Sequence, residues 1–157
     1  MTTEFDSLGC ALAQGTVEPA PDGRAVVAVF DSPVAAHLLH FAAELGYRVQ
    51  LAEPDLGKVT IDANTDVVVT DHDRPELGEV LRDALASPAR WIGVMGTPRH
   101  EGPHVAALRG LGVAEADIAR VHRPIGLNIG SRTPPEIALA TLAGLVADRN
   151  DRPGGFY

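Results

Sequence analysis

From Arg24 onward the chain repeats one pattern, a short apolar run followed by a stretch with helical spacing, and this alternation limits the fold more than any other feature. Ala25-Val26-Val27-Ala28-Val29-Phe30 is apolar at every position and too short for a helix, so it predicts a strand buried on both faces. Val34 to Leu45 then carries helical spacing and stops at Gly46, a residue suited to the left-handed end of a helix. Tyr47 to Ala52 predicts a second strand, Asp66 to Thr70 a third, Pro75 to Ala86 a helix, and Trp91 to Met95 a fourth strand. A helix over Pro98 to Leu111, a short turn at Ala114 to Ala119, a strand at Arg120 to His122 and a last helix over Pro134 to Asp148 complete the series. Parallel strands need crossover helices, and those helices cover both faces of the sheet.

The expected fold class is therefore α/β, a Rossmann-like three-layer sandwich with a mostly parallel sheet. Residues 1–23 are expected to form an N-terminal arm ending in the breaker cluster Pro19 to Gly23, residues 24–149 the domain, and residues 150–157 a Gly/Pro-rich tail. A length of 157 residues, 45% of them hydrophobic, suits one domain with its own core. The formal charge of −8 and a single lysine, Lys58, oppose binding to phosphate-rich polymers, so no nucleic acid is expected as a partner. Cys10 is the sole cysteine, which excludes an internal disulfide and a thiolate metal cluster within one chain and agrees with a reducing cytosol. Residues 1–23 lack a signal-peptide pattern and no stretch approaches the roughly 20 apolar residues of a membrane span, so a cytoplasmic protein with no membrane association is expected.

In a doubly wound sheet, ligands sit beyond the carboxyl ends of the strands where strand order reverses. The candidate loops are then Asp31-Ser32-Pro33, Glu53-Pro54-Asp55, Thr70-Asp71-His72-Asp73 and Gly96-Thr97-Pro98-Arg99-His100, joined by Gly126 to Thr133. The first turn has none of the glycines of a dinucleotide fingerprint, and Asp31 would repel a pyrophosphate. Glu53 or Asp55 is placed to bond a ribose hydroxyl, or is simply a surface acid. Asp71 and His72 are expected either to contact a polar ligand or to order their loop, and a metal there would need a second histidine, His100 or His104, from across the fold. His37 and His40, at i, i+3 in the first helix, read as packing or surface residues.

Two helix starts stand out. Thr133, Pro134 and Glu136 form a T-x-x-E capping box with proline at the first helical position, and Asn128, Gly130, Ser131 and Arg132 arrive just ahead of it. Gly96, Thr97, Pro98 and Arg99 suggest a second capped N-terminus. Free amides and the helix dipole favour an anion at such ends, and Arg99 with Arg132 could clamp one phosphate between them; the alternative is that both arginines pair with acidic surface groups.

The run from Val67 to Ala147 resembles the C-terminal Rossmann domain of the XdhC/CoxI family, the xanthine dehydrogenase accessory factors. The resemblance rests on Val68-Val69-Thr70-Asp71-His72-Asp73, on Arg90-Trp91-Ile92-Gly93-Val94-Met95-Gly96-Thr97-Pro98-Arg99, and above all on Pro124-Ile125-Gly126-Leu127-Asn128-Ile129-Gly130-Ser131-Arg132-Thr133-Pro134-Pro135-Glu136-Ile137-Ala138. It implies a chaperone more than a catalyst: the family matures molybdenum hydroxylases by binding the molybdenum cofactor (molybdopterin), promoting its sulfuration and handing it to the apo-enzyme. The family's GAGHVA-type turn is here Asp31-Ser32-Pro33-Val34-Ala35-Ala36, its basic cluster is thinned to Arg99-His100-Glu101-Gly102-Pro103, and its N-terminal domain with a glycine-glycine-cysteine motif is expected to be missing, Leu8-Gly9-Cys10 being a faint echo. On this basis Asp71, His72, Gly96, Thr97, Arg99, Asn128, Gly130, Ser131, Arg132 and Thr133 are the expected cofactor-binding residues, with no resident metal. An NAD(P)- or nucleotide-binding oxidoreductase or sensor is the alternative, and a domain acting only through protein contacts, as a homodimer or through its arm and the Phe156-Tyr157 tail, is a third reading.

Overall fold

The computed structural model describes residues 10–11, 13–15, 22–99 and 101–156, so most of the expected arm, together with His100 and Tyr157, lies outside the described residues. Five strands, β1 (Ala25–Val29), β2 (Arg48–Ala52), β3 (Thr65–Val69), β4 (Trp91–Val94) and β5 (Val121–His122), form one sheet in the order β2-β1-β3-β4-β5. Every pairing is parallel, with Val27 opposite Val67 and Val29 opposite Val69 in the central register. The α-helices that connect or follow the strands among the described residues are α1 (Pro33–Glu44), α2 (Leu77–Ala86), α3 (Pro103–Gly110), α4 (Glu115–Ile118) and α5 (Pro134–Arg149).

The alternation of strand faces explains the layers. Val26, Ala28 and Val68 point to one side and are covered by Ala35, Leu38 and Ala42 of α1 and by Ala138, Leu142 and Leu145 of α5. Val27, Val29, Val67 and Val69 point to the other, under Val80, Leu81 and Ala84 of α2, Leu108 of α3 and Ile118 of α4. β1 and β3 are therefore buried along their whole length, as central strands of a parallel sheet covered on both faces must be.

One predicted boundary is wrong. The helix expected from Pro98 starts at Pro103, and Gly102 before it is extended (φ −67°, ψ 135°). A helix begun at Pro98 would carry Pro103 in its interior, where the ring clashes with the carbonyl of Arg99 and no amide is left to bond it. Proline also pushes its preceding residue out of the helical region, so the second proline, not the first, sets the start. Thr97 consequently caps no helix. Its hydroxyl instead accepts from the Arg99 amide at 3.2 Å, closing a local turn.

The amino-terminal rim of the sheet is tied by a buried charge. Asp66 of β3 is fully buried and accepts from Arg90 Nε at 2.7 Å and from Arg149 Nε at 3.1 Å, while Arg90 also reaches Asp148 at 2.6 Å. Burial pushes the Asp66 carboxyl up against the pull of the two guanidiniums. The triad joins β3, the start of β4 and the end of α5. Removing one member of a buried pair leaves uncompensated charge, so Asp66→Asn is expected to lower unfolding stability by about 3 kcal/mol in urea titration, and a loss below about 1 kcal/mol would refute the structural role.

Candidate functional site

Strand order reverses between β1 and β3, since the chain leaves β1 for β2 and then crosses back to β3. The carboxyl ends of those two strands carry Phe30 to Ser32 and Thr70 to His72, and there the protein's own side chains fill the crevice. Thr70 Oγ1 lies 2.9 Å from the Val29 carbonyl and 3.0 Å from Ser32 Oγ, and the Ala35 amide reaches Ser32 Oγ at 3.1 Å. A carbonyl only accepts, so the hydrogen bonds run in one direction: Ala35 N–H to Ser32, Ser32 to Thr70, Thr70 to Val29. Phe30 sits at φ +74°, a conformation costly for a residue with a side chain, under the Arg74 guanidinium 4.4 Å from its ring centre.

Glu53, after β2, completes the closure. One carboxylate oxygen accepts from the Asp31 amide and the other from Arg74 Nη2 at 2.9 Å. The Asp31 amide first, and then Arg74, hold this carboxyl below its ordinary range. Asp55 is spent on the Gly57 amide at 2.8 Å. Glu53 is thus engaged through both of its oxygens and Asp55 through one.

The open space begins beside it. A cleft of about 780 Å³ is walled by Val34 at the start of α1, the ends of β3 and β4, the loop from Pro124 to Ser131 and the first turns of α5. Of the ten expected residues, His72, Gly96, Thr97, Asn128, Gly130 and Ser131 line it, and Asp71, Arg99, Arg132 and Thr133 do not. His72 Nδ1 is 3.1 Å from the Met95 carbonyl. Asp71 accepts from the Asp73 amide at 2.9 Å, which shapes the loop. Gly96 gives room to the Arg123 guanidinium, which would meet a Cβ there at 2.2 Å. Gly126 (φ +87°) lets the loop pass against the α5 backbone at Ala140 and Thr141, where the Leu127 amide bonds the Ala140 carbonyl at 3.0 Å.

Sequence reasoning missed the apolar lining: Met95, Ile125, Leu127, Ile129 and Ile137. The signal was present in the alternation of Ile125, Leu127 and Ile129 through an otherwise polar loop. The α5 terminus is built as its sequence indicates, with both halves of the capping box in place. That box uses up its donors. Pro134 and Pro135 have no amide hydrogen, the Glu136 amide faces Thr133 Oγ1 at 3.4 Å, and Glu136 Oε1 accepts from the amides of Arg132 (3.2 Å) and Thr133 (3.1 Å) and from the Thr133 hydroxyl (2.8 Å). Those bonds, the Thr133 hydroxyl first, hold the Glu136 carboxyl below its ordinary range. A carboxylate thus stands where an anion would have docked.

The domain so defined is a Rossmann-like α/β unit with a filled switch-point crevice and an open, largely apolar cleft beside it. The chain belongs to the XdhC Rossmann-domain family, whose model matches residues 26–145. It is 42% identical over 77 residues to the protein named "Uncharacterized protein YqeB" of Escherichia coli (strain K12), a match covering 49% of this chain and 14% of that one. It also shares its fold with a protein of Bacillus halodurans named a xanthine dehydrogenase, at TM-score 0.64 and 21% identity over 82% of this chain and 44% of that one. The chain therefore spans less than half the length of either relative. Among the described residues no helix is long and apolar enough to cross a membrane, and no three His, Cys, Asp or Glu side chains are grouped to hold a metal ion.

His104, in the first turn of α3, is buried, and its Nδ1 has no hydrogen-bond partner among the described residues. Burial first, then the Arg123 charge, hold its pKa below 6.5. The unfolded chain therefore takes up this proton first, so the contribution of neutral His104 is complete above about pH 6.5 and is lost as pH falls toward the lower folded value. Urea titrations at about pH 7.5 and 5.5 should show a smaller loss of stability on acidification for His104→Gln than for the unmodified protein. Equal losses in the two proteins would refute the assignment.

Proposed function

We propose that this protein is an accessory factor in the maturation of molybdenum hydroxylases, and that its cleft receives the molybdenum cofactor or a pterin precursor for delivery to an apo-enzyme. The observation that carries this reading is that the segment on which the family resemblance chiefly rests, Pro124 to Ala138, supplies Pro124 to Ser131 and Ile137 to the wall of the cleft. Its side chains suit the organic part of such a cargo. Ile125, Leu127, Ile129 and Ile137 offer apolar contact, while Thr97, Asn128 and Ser131 offer hydroxyl and carboxamide donors and acceptors. The role in this reading is binding and transfer.

The filled crevice favours this over a nucleotide-dependent oxidoreductase, because a dinucleotide would have to displace Glu53 from the Asp31 amide and break the Ser32–Thr70 bond. Calorimetric titration with the molybdenum cofactor should give one site per chain with a Kd of about 10 μM or tighter. Ile129 is half-exposed at the rim, so Ile129→Glu should leave the fold intact and weaken binding at least about tenfold by placing a charge in an apolar wall. An absence of binding, or tighter binding of reduced nicotinamide cofactors followed by fluorescence, would overturn the reading.

A further inference from the structure

β2 is one edge of the sheet, with β1 as its neighbour. In a parallel pair, alternate residues of a strand direct both of their main-chain groups at the same neighbour. The Arg48 amide bonds the Arg24 carbonyl at 3.0 Å and the Ala52 carbonyl accepts from the Phe30 amide at 2.8 Å, so Arg48, Gln50 and Ala52 face β1. Val49 and Leu51 therefore turn their N–H and C=O groups outward, and among the described residues these groups have no partner. Their side chains lie on the face of Val26 and Ala28, their partners in register, and are 37% and 40% exposed. On the other face the Gln50 carboxamide holds the Thr60 carbonyl and amide, each at 2.9 Å. No lysine, proline or bulge blunts β2, whereas the opposite edge, β5, is only two residues long.

We propose that the β2 edge is a homodimer interface, in which two copies pair antiparallel about a two-fold axis at Gln50 and join their sheets. Residues that face outward on both strands form the hydrogen-bonded pairs of an antiparallel seam, and this axis sets Val49 opposite the partner subunit's Leu51 and the reverse. Each such pair exchanges both main-chain bonds and brings two apolar side chains together on one face. The strand is its own complement. Charge favours the same direction, because β2 begins with Arg48 and is followed by Glu53 and Asp55, so antiparallel pairing lays the basic start of one strand beside the acidic end of the other. Arg48 and Glu53 stay half-exposed in their own ion pairs with Asp62 and Arg74. β2 itself holds no carboxylate, so the seam sets no acid against acid in a chain of formal charge −8.

Sedimentation velocity on the full chain at about 5 and 200 μM should show monomer passing into dimer, the range expected of a small interface. Leu51→Lys and Val49→Glu, both at exposed positions, should leave the circular dichroism spectrum and the urea midpoint unchanged, and each should weaken dimerisation at least about tenfold. An equimolar mixture of the two variants should recover the dimer, because this register sets the introduced lysine against the introduced glutamate and keeps one native pairing of Val49 with Leu51. A monomer at about 200 μM, a dimer that survives both substitutions, or a mixture no more associated than the separate variants would each overturn the inference.

Discussion

Burial of both faces of an all-parallel sheet is the constraint on which this structure depends. β1 and β3 at its centre have no exposed residue, so neither face can be left open and no polar side chain can be tolerated along them without a partner. The polar residues there, Thr65 and Asp66, lie at the amino-terminal rim and are met by Asp62 and by Arg90 and Arg149. Because Arg149 is the last residue of α5 and Asp66 opens onto β3, this triad fixes how far α5 slides along the sheet. The other end of α5 forms the wall of the cleft. A buried charge at one rim thereby sets the position of the cleft wall at the other.

At the carboxyl rim the same demand for satisfied polar groups decides where a ligand can go. A glycine-rich first turn would leave backbone amides open to a pyrophosphate; here the Asp31 amide is capped by Glu53, and Ser32 and Thr70 complete each other. Phe30 and Arg74 close the space above them. What remains is the volume between the ends of β3 and β4 and the loop after β5, a region with apolar walls because Ile125, Leu127 and Ile129 alternate inward.

Much of the fold was legible in the sequence because burial and period are local signals: all five strands, the helix after β1, and the α5 capping box lie where apolar runs and cap residues put them. Where two local signals compete, sequence reading alone misjudged the outcome. Thr97-Pro98 reads as a helix start until Pro103 is weighed as an interior residue, and only the second proline is compatible with a continuous ladder. The site was less legible for a different reason. Polar residues near strand ends identify a region, but whether each faces a ligand or completes its own loop depends on partners distant in sequence. Glu53 and Arg74 are tied to each other and to Asp31 in a way no spacing rule would reveal.

The capping box makes the point most sharply. Thr133 and Glu136 suggest an anion site because a helix start concentrates amides and positive dipole, yet the residues that make the start so well defined also consume what an anion would use. Prolines at both of the first two positions remove donors, and the N3 carboxylate takes those of Arg132 and Thr133. A well-capped helix end is by construction a poor phosphate site, whereas the P-loop type of end leaves its amides bare.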